Sequence, residues 1–238
     1  ILSGSKYSSY TELFNQIRLP YNRQLREKVI NAMTTNETYW FRDDRPFKMF
    51  REVLLKNLIP QLESGQIPKL RVWSAACSSG QEPYSLAILI HKALLHKPSL
   101  FSQVEILATD VDTDRIEEAE KGIYDNFSMS RGMPADLKSR YFKQEGNDYI
   151  LVDEIKKMVR FKPANLNQSI AWVGKQDIIY MRNVLIYFPD EVKAKIFRNT
   201  RQLLLPHSAF VIGSSETLDP FNDLFKREDT PMGRYYTI

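Results

Sequence analysis

Residues 70–83 read LRVWSAACSSGQEP, and this stretch decides the fold because its character changes twice along its length. The apolar run Leu70–Ala76 predicts a buried strand, the small residues after it predict a tight loop, and Glu82–His96 has the apolar spacing of a helix. The pattern repeats in a second predicted strand, Val104–Val111, and a second predicted helix, Asp114–Lys121. Alternating strands and helices predict βαβ units, and therefore an α/β fold with a parallel sheet covered by helices.

The carboxy-terminal part of the chain continues this pattern. Asp177–Met181 predicts a strongly buried strand, a helix is expected around Glu191–Leu205, and another strand over Ala209–Ser214. Two further segments, Phe225–Asp229 and Arg234–Ile238, flank a Thr-Pro-Met-Gly turn. They predict a terminal β-hairpin.

A small insert is expected after the second βα unit. Three short strands are predicted there, over Arg140–Gln144, Tyr149–Val152 and Met158–Phe161, with polar turns between them. We therefore predict a small antiparallel β-subdomain at about 138–162 that projects from the main sheet.

The amino-terminal segment has a different, helical character. Apolar residues at helical spacings predict short helices over residues 10–33, broken near Pro20, and one amphipathic helix over Phe47–Leu62. We expect residues 1–46 to be the remnant of an N-terminal helical domain with its linker, the front of that domain being absent. Residues 47–238 then form the α/β domain.

Composition excludes several classes of protein. The 238 residues are 43% hydrophobic and 26% charged, unlike collagen-like, low-complexity or mostly disordered chains. No run approaches the ~18 apolar residues of a membrane span, and the start lacks a signal-peptide pattern, so we expect a cytoplasmic protein without membrane insertion. A single cysteine, Cys77, and three scattered histidines predict neither a disulfide framework nor a metal site. The net charge of +4 is too mild to indicate nucleic-acid binding.

The loop after the first strand indicates what kind of ligand the sheet binds. It contains neither the G-x-G-x-x-G pattern of dinucleotide sites nor the P-loop pattern, and Glu82 at the start of the helix would repel a phosphate. Asp110 ends the second strand, where a carboxylate can accept hydrogen bonds from ribose hydroxyls. A nucleoside with a positive charge and no phosphate describes S-adenosylmethionine.

Each of these signals has a structural alternative. The small-residue loop is often only a tight turn, Asp110 is also placed to cap the next helix, and Asp112 competes for the ribose. Cys77 is expected to be a packed residue because no histidine near it in sequence could activate it. The aromatic run 39–41 is expected to belong to the core rather than to a stacking platform.

Four segments in order carry a resemblance to a known family. They are TTNETYWFR at 34–42, VWSAACSSGQEPYS at 72–85, ATDVD at 108–112 and MRNVLIYF at 181–188. Together they strongly resemble the CheR-type chemotaxis receptor methyltransferases, and the resemblance covers about residues 10–238. It implies a Rossmann-like S-adenosylmethionine-dependent methyltransferase fold and methylation of glutamate side chains on methyl-accepting chemotaxis receptors, which yields glutamate methyl esters.

The resemblance also implies site residues. Asn36, Thr38 and Arg42 are expected against the cofactor from the interdomain linker. Glu82 is expected at the methionine amino group and Asp110 at the ribose. The remaining expected cofactor contacts come from two segments, one bordering the adenine and one lining the transfer site: Asn165 and Leu166, then Arg182 and Asn183.

Two residues are expected to position the reacting groups, Arg42 and Tyr187. A glutamate carboxyl has a pKa near 4.3, so the acceptor is already anionic at neutral pH and no general base is needed. Arg42 is predicted to hold the incoming carboxylate or that of the cofactor, and Tyr187 to lie beside the methyl group. The structural alternative is that Arg42 only pairs with Asp43 or Asp44.

The expected partners are the cytoplasmic domains of the receptors. Some family members capture a receptor-tail pentapeptide on the edge of the β-subdomain, and their turn carries an extra glycine-rich stretch. The turn here is short, 144–148, so we predict no pentapeptide tethering. The alternatives that remain are a methyltransferase acting on another signalling protein and a cofactor-binding adaptor without turnover.

Overall fold

The main feature of the fold is a seven-stranded sheet, described here from a computed structural model over residues 7–238, apart from the side chain of Pro220. The strands lie in the order β6-β2-β1-β7-β8-β10-β9, with β10 antiparallel to its neighbours. Their bounds are β1 Leu70–Ala75, β2 Val104–Asp110, β6 Val159–Pro163, β7 Gln176–Met181, β8 Leu204–Ile212, β9 Lys226–Thr230 and β10 Gly233–Thr237. The predicted α/β fold with a parallel core is confirmed.

The helices follow the chain between these strands. Their bounds are α1 Tyr10–Ile17, α2 Arg23–Met33, α3 Arg45–Met49, α4 Lys56–Glu63, α5 Gln81–Leu94, α6 Thr113–Lys121, α7 Asn126–Ser130, α8 Ala135–Tyr141, α9 Asp153–Lys156 and α10 Asp190–Leu203. The predicted single helix over Phe47–Leu62 is observed as α3, a π-helical segment over Phe50–Leu55 and α4, without a break and with Pro60 inside it. Residues 1–6 of the predicted N-terminal segment lie outside the described residues.

Alternation along the strands separates two hydrophobic layers. Successive side chains of a strand point to opposite faces of the sheet. Val72 and Ile178 therefore pack with α5 and the α3–α4 helix on one face, whereas Trp73 and Ile179 pack with Phe197 of α10 on the other. Both faces are buried, as a parallel sheet requires.

The prediction of the insert is partly wrong. The segment predicted as its third strand, Met158–Phe161, is observed as β6, which pairs in parallel with β2 in the main sheet, with Ile106 opposite Val159. The small sheet instead has the order β3-β5-β4, and its strands are β3 Ile123–Asp125, β4 Phe142–Glu145 and β5 Asp148–Leu151. The insert strands contain too few residues for alternation alone to decide which sheet they join. The domain bounds 1–46, 47–238 and 138–162 stay predictions.

The N-terminal helices are joined to the α/β domain at the carboxyl edge of the sheet. Asn31 of α2 donates through Nδ2 to the hydroxyl of Thr113 at the start of α6, at 3.1 Å. The hydroxyl of Thr34 donates to Asp112 at 2.8 Å. These bonds bring the chain after α2 to the ends of β1 and β2. Within residues 7–238 no helix is long and apolar enough to cross a membrane.

Candidate functional site

The strand order reverses at β1, since β2 lies on one side of it and β7 on the other. A crevice opens at such a point beyond the carboxyl ends of the strands. A cavity of about 330 Å³ lies there in this protein. All ten predicted site residues line it: Asn36, Thr38, Arg42, Glu82, Asp110, Asn165, Leu166, Arg182, Asn183 and Tyr187.

The loop after β1 forms the floor of this cavity. Ala76 and Ser78 both have positive φ angles, 62° and 48°, which is costly for residues with a Cβ. Two bonds across to β2 hold the loop: the Cys77 amide donates to the Thr109 carbonyl at 3.0 Å, and the Ser78 amide donates to Asp110 at 2.7 Å. The loop is therefore a fixed part of the ligand cavity as well as a tight turn.

Glu82 lies at the cavity, but both of its carboxylate oxygens already have partners. Oε1 accepts from the Ser74 hydroxyl at 2.8 Å, and Oε2 accepts from Arg182 Nη1 at 2.9 Å. Burial raises the pKa of Glu82, while Arg182 and Ser74 act in the opposite direction. A cofactor amino group would thus meet a carboxylate that is already paired, which sequence reasoning did not foresee.

Arg182 is the centre of a buried cluster. Its side chain is 0% exposed, and Nη2 donates to Asp43 and to the Arg42 carbonyl, both at 2.8 Å. Because Nη1 donates to Glu82, this one side chain connects the end of β7, the start of α5 and the linker. Its Nε is buried without a hydrogen-bond partner in the described part of the chain.

Asp110 and Asp112 have different hydrogen-bond partners, and Asp112 is the one that caps the next helix, whereas the ribose contact stays a prediction. Asp112 caps α6 by accepting from the amides of Asp114 and Arg115, and it also accepts from Asn36 Nδ2 at 2.6 Å. Asp110 accepts from the amides of Ser78 and Asp112, and burial raises its pKa. Each carboxylate oxygen can accept a second hydrogen bond, so Asp110 keeps acceptor capacity for ribose hydroxyls.

Arg42 is a half-buried cation that lines the same cavity. Its Nη1 donates to the carbonyl of Glu37 at 2.6 Å, and its guanidinium lies 5.6 Å from the centre of the Tyr39 ring. The alternative pairing with Asp43 or Asp44 is not observed, because Asp43 pairs with Arg182 and Asp44 with Lys48. Within residues 7–238, Arg42 forms no ion pair.

The aromatic run beside Arg42 holds the linker in place. Trp40 is fully buried, with its ring edge-to-face against Tyr124 and Phe142 of the small sheet. Its carbonyl lies against Gly132, where a Cβ would come within 2.0 Å of the carbonyl oxygen. The expectation that this run belongs to the core is confirmed for Trp40.

The last two segments of the cavity come from the ends of β6 and β7. Leu166 is buried and Asn165 half-buried beside Ala164, whose amide donates to the Asp110 carbonyl at 2.8 Å. Tyr187 is 55% exposed at the mouth, and the half-buried Asn183 has a positive φ of 58°. The residue type agrees with this angle, because asparagine is enriched at positive φ, but no spacing in the sequence predicts it.

The sequence patterns missed one buried carboxylate that holds a segment of the cavity wall. Glu216 is 4% exposed, and its carboxylate accepts hydrogen bonds from the turn that begins at Asn183. It lies in a Gly-Ser-Ser-Glu segment after β8, and the only sequence signal was an acidic residue directly after a buried strand. No motif spacing connects it to residue 183.

The cavity offers no metal centre and no histidine. No group of three potential metal ligands occurs in residues 7–238. The lining residues do not include a histidine, and burial raises the pKa of the Cys77 thiol well above its usual value, so this cysteine stays a thiol.

The residues present fit S-adenosylmethionine. The volume falls in the range of small-molecule sites, about 300–1,000 Å³. The lining contains three acidic residues, Glu37, Glu82 and Asp110, and two basic ones, Arg42 and Arg182. The resulting formal charge of −1 complements a ligand whose sulfonium leaves it with a net positive charge, and Asp110 has free acceptor capacity for the ribose.

Comparisons with known proteins agree with this geometry. Residues 36–234 match the family described as CheR methyltransferase, SAM binding domain. A chemotaxis protein methyltransferase of Vibrio parahaemolyticus is 40% identical over 239 residues, which cover 100% of this chain and 85% of the relative. Chemotaxis protein methyltransferase 1 of Pseudomonas aeruginosa is 40% identical over 214 residues, covering 89% of this chain and 77% of the relative.

Chemotaxis protein methyltransferase 1 of Vibrio cholerae is also similar, with 39% identity over 239 residues, covering 100% of this chain and 85% of the relative. The family predicted from the four motifs is therefore confirmed, and so is the predicted cofactor. This chain belongs to the CheR family of chemotaxis methyltransferases, and it is an S-adenosylmethionine-dependent methyltransferase.

Proposed function

We propose that this protein methylates glutamate side chains in the cytoplasmic domains of methyl-accepting chemotaxis receptors, forming glutamate methyl esters. The observation that carries the proposal is the cavity beyond the ends of β1, β2 and β7, which is lined by all ten residues predicted for this chemistry. We also place the protein in the cytoplasm, where those receptor domains are found.

Eight of the ten residues are proposed to bind the cofactor, together with Arg42. Asp110 accepts from the ribose hydroxyls, and Asn165 with Leu166 borders the adenine. Glu82 faces the amino group while Arg182 balances its charge, and Asn36, Thr38 and Asn183 complete the wall. When bound, S-adenosylmethionine supplies an electrophilic methyl group on a positively charged sulfur.

The chemistry requires no general base from the protein. The acceptor glutamate is ionised at neutral pH, so it could take the methyl group from the sulfonium with no proton transfer. The methyl–sulfur bond would break as the oxygen–methyl bond forms, and the cofactor would leave as the neutral thioether S-adenosylhomocysteine. The protein's contribution is alignment and exclusion of water, and well-oriented partners can gain roughly 7–11 kcal/mol of the barrier this way. The absence of histidine from the lining residues agrees with this requirement.

Arg42 and Tyr187 are proposed to position the incoming carboxylate. Arg42 is half-buried at the cavity, and within residues 7–238 its guanidinium donates to a carbonyl and forms no ion pair, so its charge is available to an anion. Tyr187 is half-exposed at the mouth, where its ring can pack beside the methyl group. A bidentate guanidinium contact would fix the orientation of a carboxylate.

Substrate capture is proposed to proceed without a receptor-tail pentapeptide. The hairpin β4–β5 turns through Gly146 and Asn147 alone, and Gly146 has a positive φ of 60°. This tight turn adds no extra loop beside the edge strand to hold a peptide. A micromolar dissociation constant for an isolated receptor-tail pentapeptide, measured by calorimetry, would overturn this part of the proposal.

The decisive experiment is transfer of a labelled methyl group from S-adenosylmethionine to receptor-containing membranes, followed by mild alkali. Label released as methanol establishes a carboxyl methyl ester. Membranes from a strain without chemoreceptors serve as the matched control and should remain unlabelled. Cofactor binding without any transfer would favour an adaptor, and equal labelling of both membranes would favour a different acceptor protein.

A further inference from the structure

Glu216 forms an unusual set of contacts beside the cavity. Oε1 accepts from the amides of Val184 and Leu185 at 3.0 and 2.8 Å, and Oε2 accepts from the amides of Asn183 and Gly213 at 2.8 and 2.6 Å. One carboxylate therefore holds four backbone N–H groups from two separate chain segments.

The charge of Glu216 is balanced by these amides rather than by a cation. The residue is 4% exposed, and no arginine, lysine or histidine in residues 7–238 forms an ion pair with it. A buried carboxylate without partners is strongly unfavourable, so its position depends on all four donors being in place. Conversely, the amides of residues 183–185 depend on the carboxylate, because none of them donates to a backbone carbonyl within the described chain.

The turn that Glu216 holds is the wall of the cavity. Asn183, Val184 and Tyr187 all line the cavity, and Asn183 has a positive φ of 58°, a conformation that asparagine adopts more readily than other residues with a Cβ. The Tyr187 amide donates to the Val184 carbonyl at 3.2 Å, so the position of Val184 is transmitted to the tyrosine at the mouth. A change at Glu216 thus acts on residues that border both substrates.

Gly213 provides the space for this contact. A Cβ at Gly213 would lie 2.5 Å from Glu216 Oε2 and 3.0 Å from the Asn183 nitrogen. Distances under 3.0 Å are essentially not found for real Cβ atoms, so any side chain here would move the carboxylate or the turn. Glycine is required here by the close approach of the Glu216 carboxylate and the Asn183 backbone rather than by its own φ angle.

We propose that Glu216 is a positioning residue for methyl transfer, setting Asn183 against the cofactor and Tyr187 against the acceptor by organising the turn after β7. The proposal rests on the proposed function for the roles of those two residues. It assigns no direct contact between Glu216 and either substrate.

The test is Glu216→Gln, which keeps the volume but replaces one acceptor oxygen with an NH₂ group facing two N–H donors. The matched control is Asp177→Asn, a carboxylate with 1% exposure at the opposite end of β7 that accepts from the Arg71 amide at 2.7 Å and from His207 at 2.6 Å. Gly213→Ala provides a second route to the same displacement if Glu216→Gln does not fold.

Two measurements distinguish a positioning role of Glu216 from a general loss of stability. Both are made under conditions in which circular dichroism shows that the variants are folded. Binding of S-adenosylhomocysteine by calorimetry should weaken at least tenfold in Glu216→Gln and stay within twofold in Asp177→Asn. Hydrogen exchange should show lost protection at the amides of residues 183–185, with β7 itself still protected. Neither readout needs the methyl acceptor, so both remain informative if the receptor is not the substrate.

The kinetic readout then addresses the acceptor side. On receptor membranes, kcat at saturating cofactor should fall at least tenfold for Glu216→Gln. Cofactor affinity and kcat both within twofold of the unaltered protein would overturn the proposal, as would equal losses in Asp177→Asn. Absence of transfer even by the unaltered protein would contradict the proposed function alone and leave the binding result to decide the role of Glu216.

Discussion

Replacing Arg182 with methionine tests whether the buried ion cluster holds the site together. The guanidinium joins Glu82 at 2.9 Å and Asp43 at 2.8 Å, and its side chain is 0% exposed. Methionine keeps much of the volume and the contact with the ring of Phe47, over which the guanidinium lies at 5.4 Å. The substitution therefore removes the charge with little loss of packing.

The size of the effect follows from which partners remain. Breaking a buried pair by removing one member costs about 3–5 kcal/mol, because the other charge is left uncompensated. Removing Arg182 leaves Glu82 as such an uncompensated charge, because the Glu82 side chain is only 12% exposed. Asp43 is 30% exposed and screened by water, so its share is under about 1 kcal/mol. We expect Arg182→Met to lower the free energy of unfolding by about 3–5 kcal/mol at pH 8.

The loss should depend on pH in a defined direction. Burial already raises the pKa of Glu82, and Arg182 opposes that shift, so removing Arg182 raises this pKa further. A carboxyl whose folded pKa lies above its unfolded value favours the folded state most at low pH, and this contribution is lost as pH rises through the folded pKa. The cost of Arg182→Met should thus shrink between pH 8 and pH 5.5.

Urea unfolding followed by circular dichroism measures both quantities. The double variant Arg182→Met/Glu82→Gln should recover at least half of the loss, because it removes the stranded charge. Arg160→Met, at an exposed arginine without an ion pair in the described chain, is the control and should stay within about 0.5 kcal/mol. A cost below 1 kcal/mol at pH 8, or a double variant as unstable as the single one, would refute the reasoning.

Three further predictions concern the site and the surface. Arg42→Ala should lower kcat/KM for methyl transfer about 100-fold, roughly 2.7 kcal/mol. The unfolding midpoint should change little, because the guanidinium makes one carbonyl bond and one contact with the Tyr39 ring; normal kcat/KM with unchanged cofactor affinity would exclude its positioning role. Asp110→Asn should weaken S-adenosylhomocysteine about tenfold or more in calorimetry, since a charged acceptor bond contributes about 1.5–3 kcal/mol; unchanged affinity would exclude the ribose contact. A hydrogen bond from Lys69 lowers the pKa of the exposed Glu105, so Glu105→Gln should lower the free energy of unfolding by under about 1 kcal/mol at pH 7. This cost should vanish as pH falls through the lowered pKa, and a larger loss of stability in urea unfolding would contradict screening of the pair by solvent.

The sequence predicts the main sheet well because its strands are long and buried on both faces. The predicted strand Leu70–Ala76 is observed as Leu70–Ala75, and Asp177–Met181 as Gln176–Met181. Such continuous apolar runs bounded by loops leave few alternatives. The helix predicted over Asp114–Lys121 agrees similarly, because Asp112 caps it and Gly122 ends it with a positive φ of 63°.

The small sheet could not be predicted to the same degree. Ile123–Asp125 forms a strand of only three residues, and its partner is decided by the Gly122 carbonyl, which accepts from the Leu151 amide at 2.9 Å. Alternation over so few residues specifies neither sheet nor neighbour. The predicted assignment of Met158–Phe161 was wrong for the same reason, since pairing with β2 is a long-range contact that local sequence does not encode.

The site shows a similar boundary between what sequence patterns contain and what tertiary contacts add. The four motifs correctly identified ten residues that line one cavity, but they did not indicate the backbone conformation at these positions. Six non-glycine residues in the described chain have positive φ: Phe41, Asp43, Asp44, Ala76, Ser78 and Asn183. Three of them line the cavity and three flank Arg42.

Such conformations cost of order 1–3 kcal/mol each and persist only where surrounding contacts hold them. Here those contacts are long-range: Asp110 holds the Ser78 amide, Arg182 holds the Asp43 carboxylate, and Glu216 holds the Asn183 amide. Side-chain type reveals this strain only at Asp43, Asp44 and Asn183, because aspartate and asparagine are enriched at positive φ, whereas phenylalanine, alanine and serine rarely adopt it. The energy stored in the backbone is thus offset by the carboxylates of Asp110 and Glu216 and the guanidinium of Arg182, which are distant in sequence from the residues they hold. Pre-organisation of the cavity depends on these contacts as much as on which residues line it.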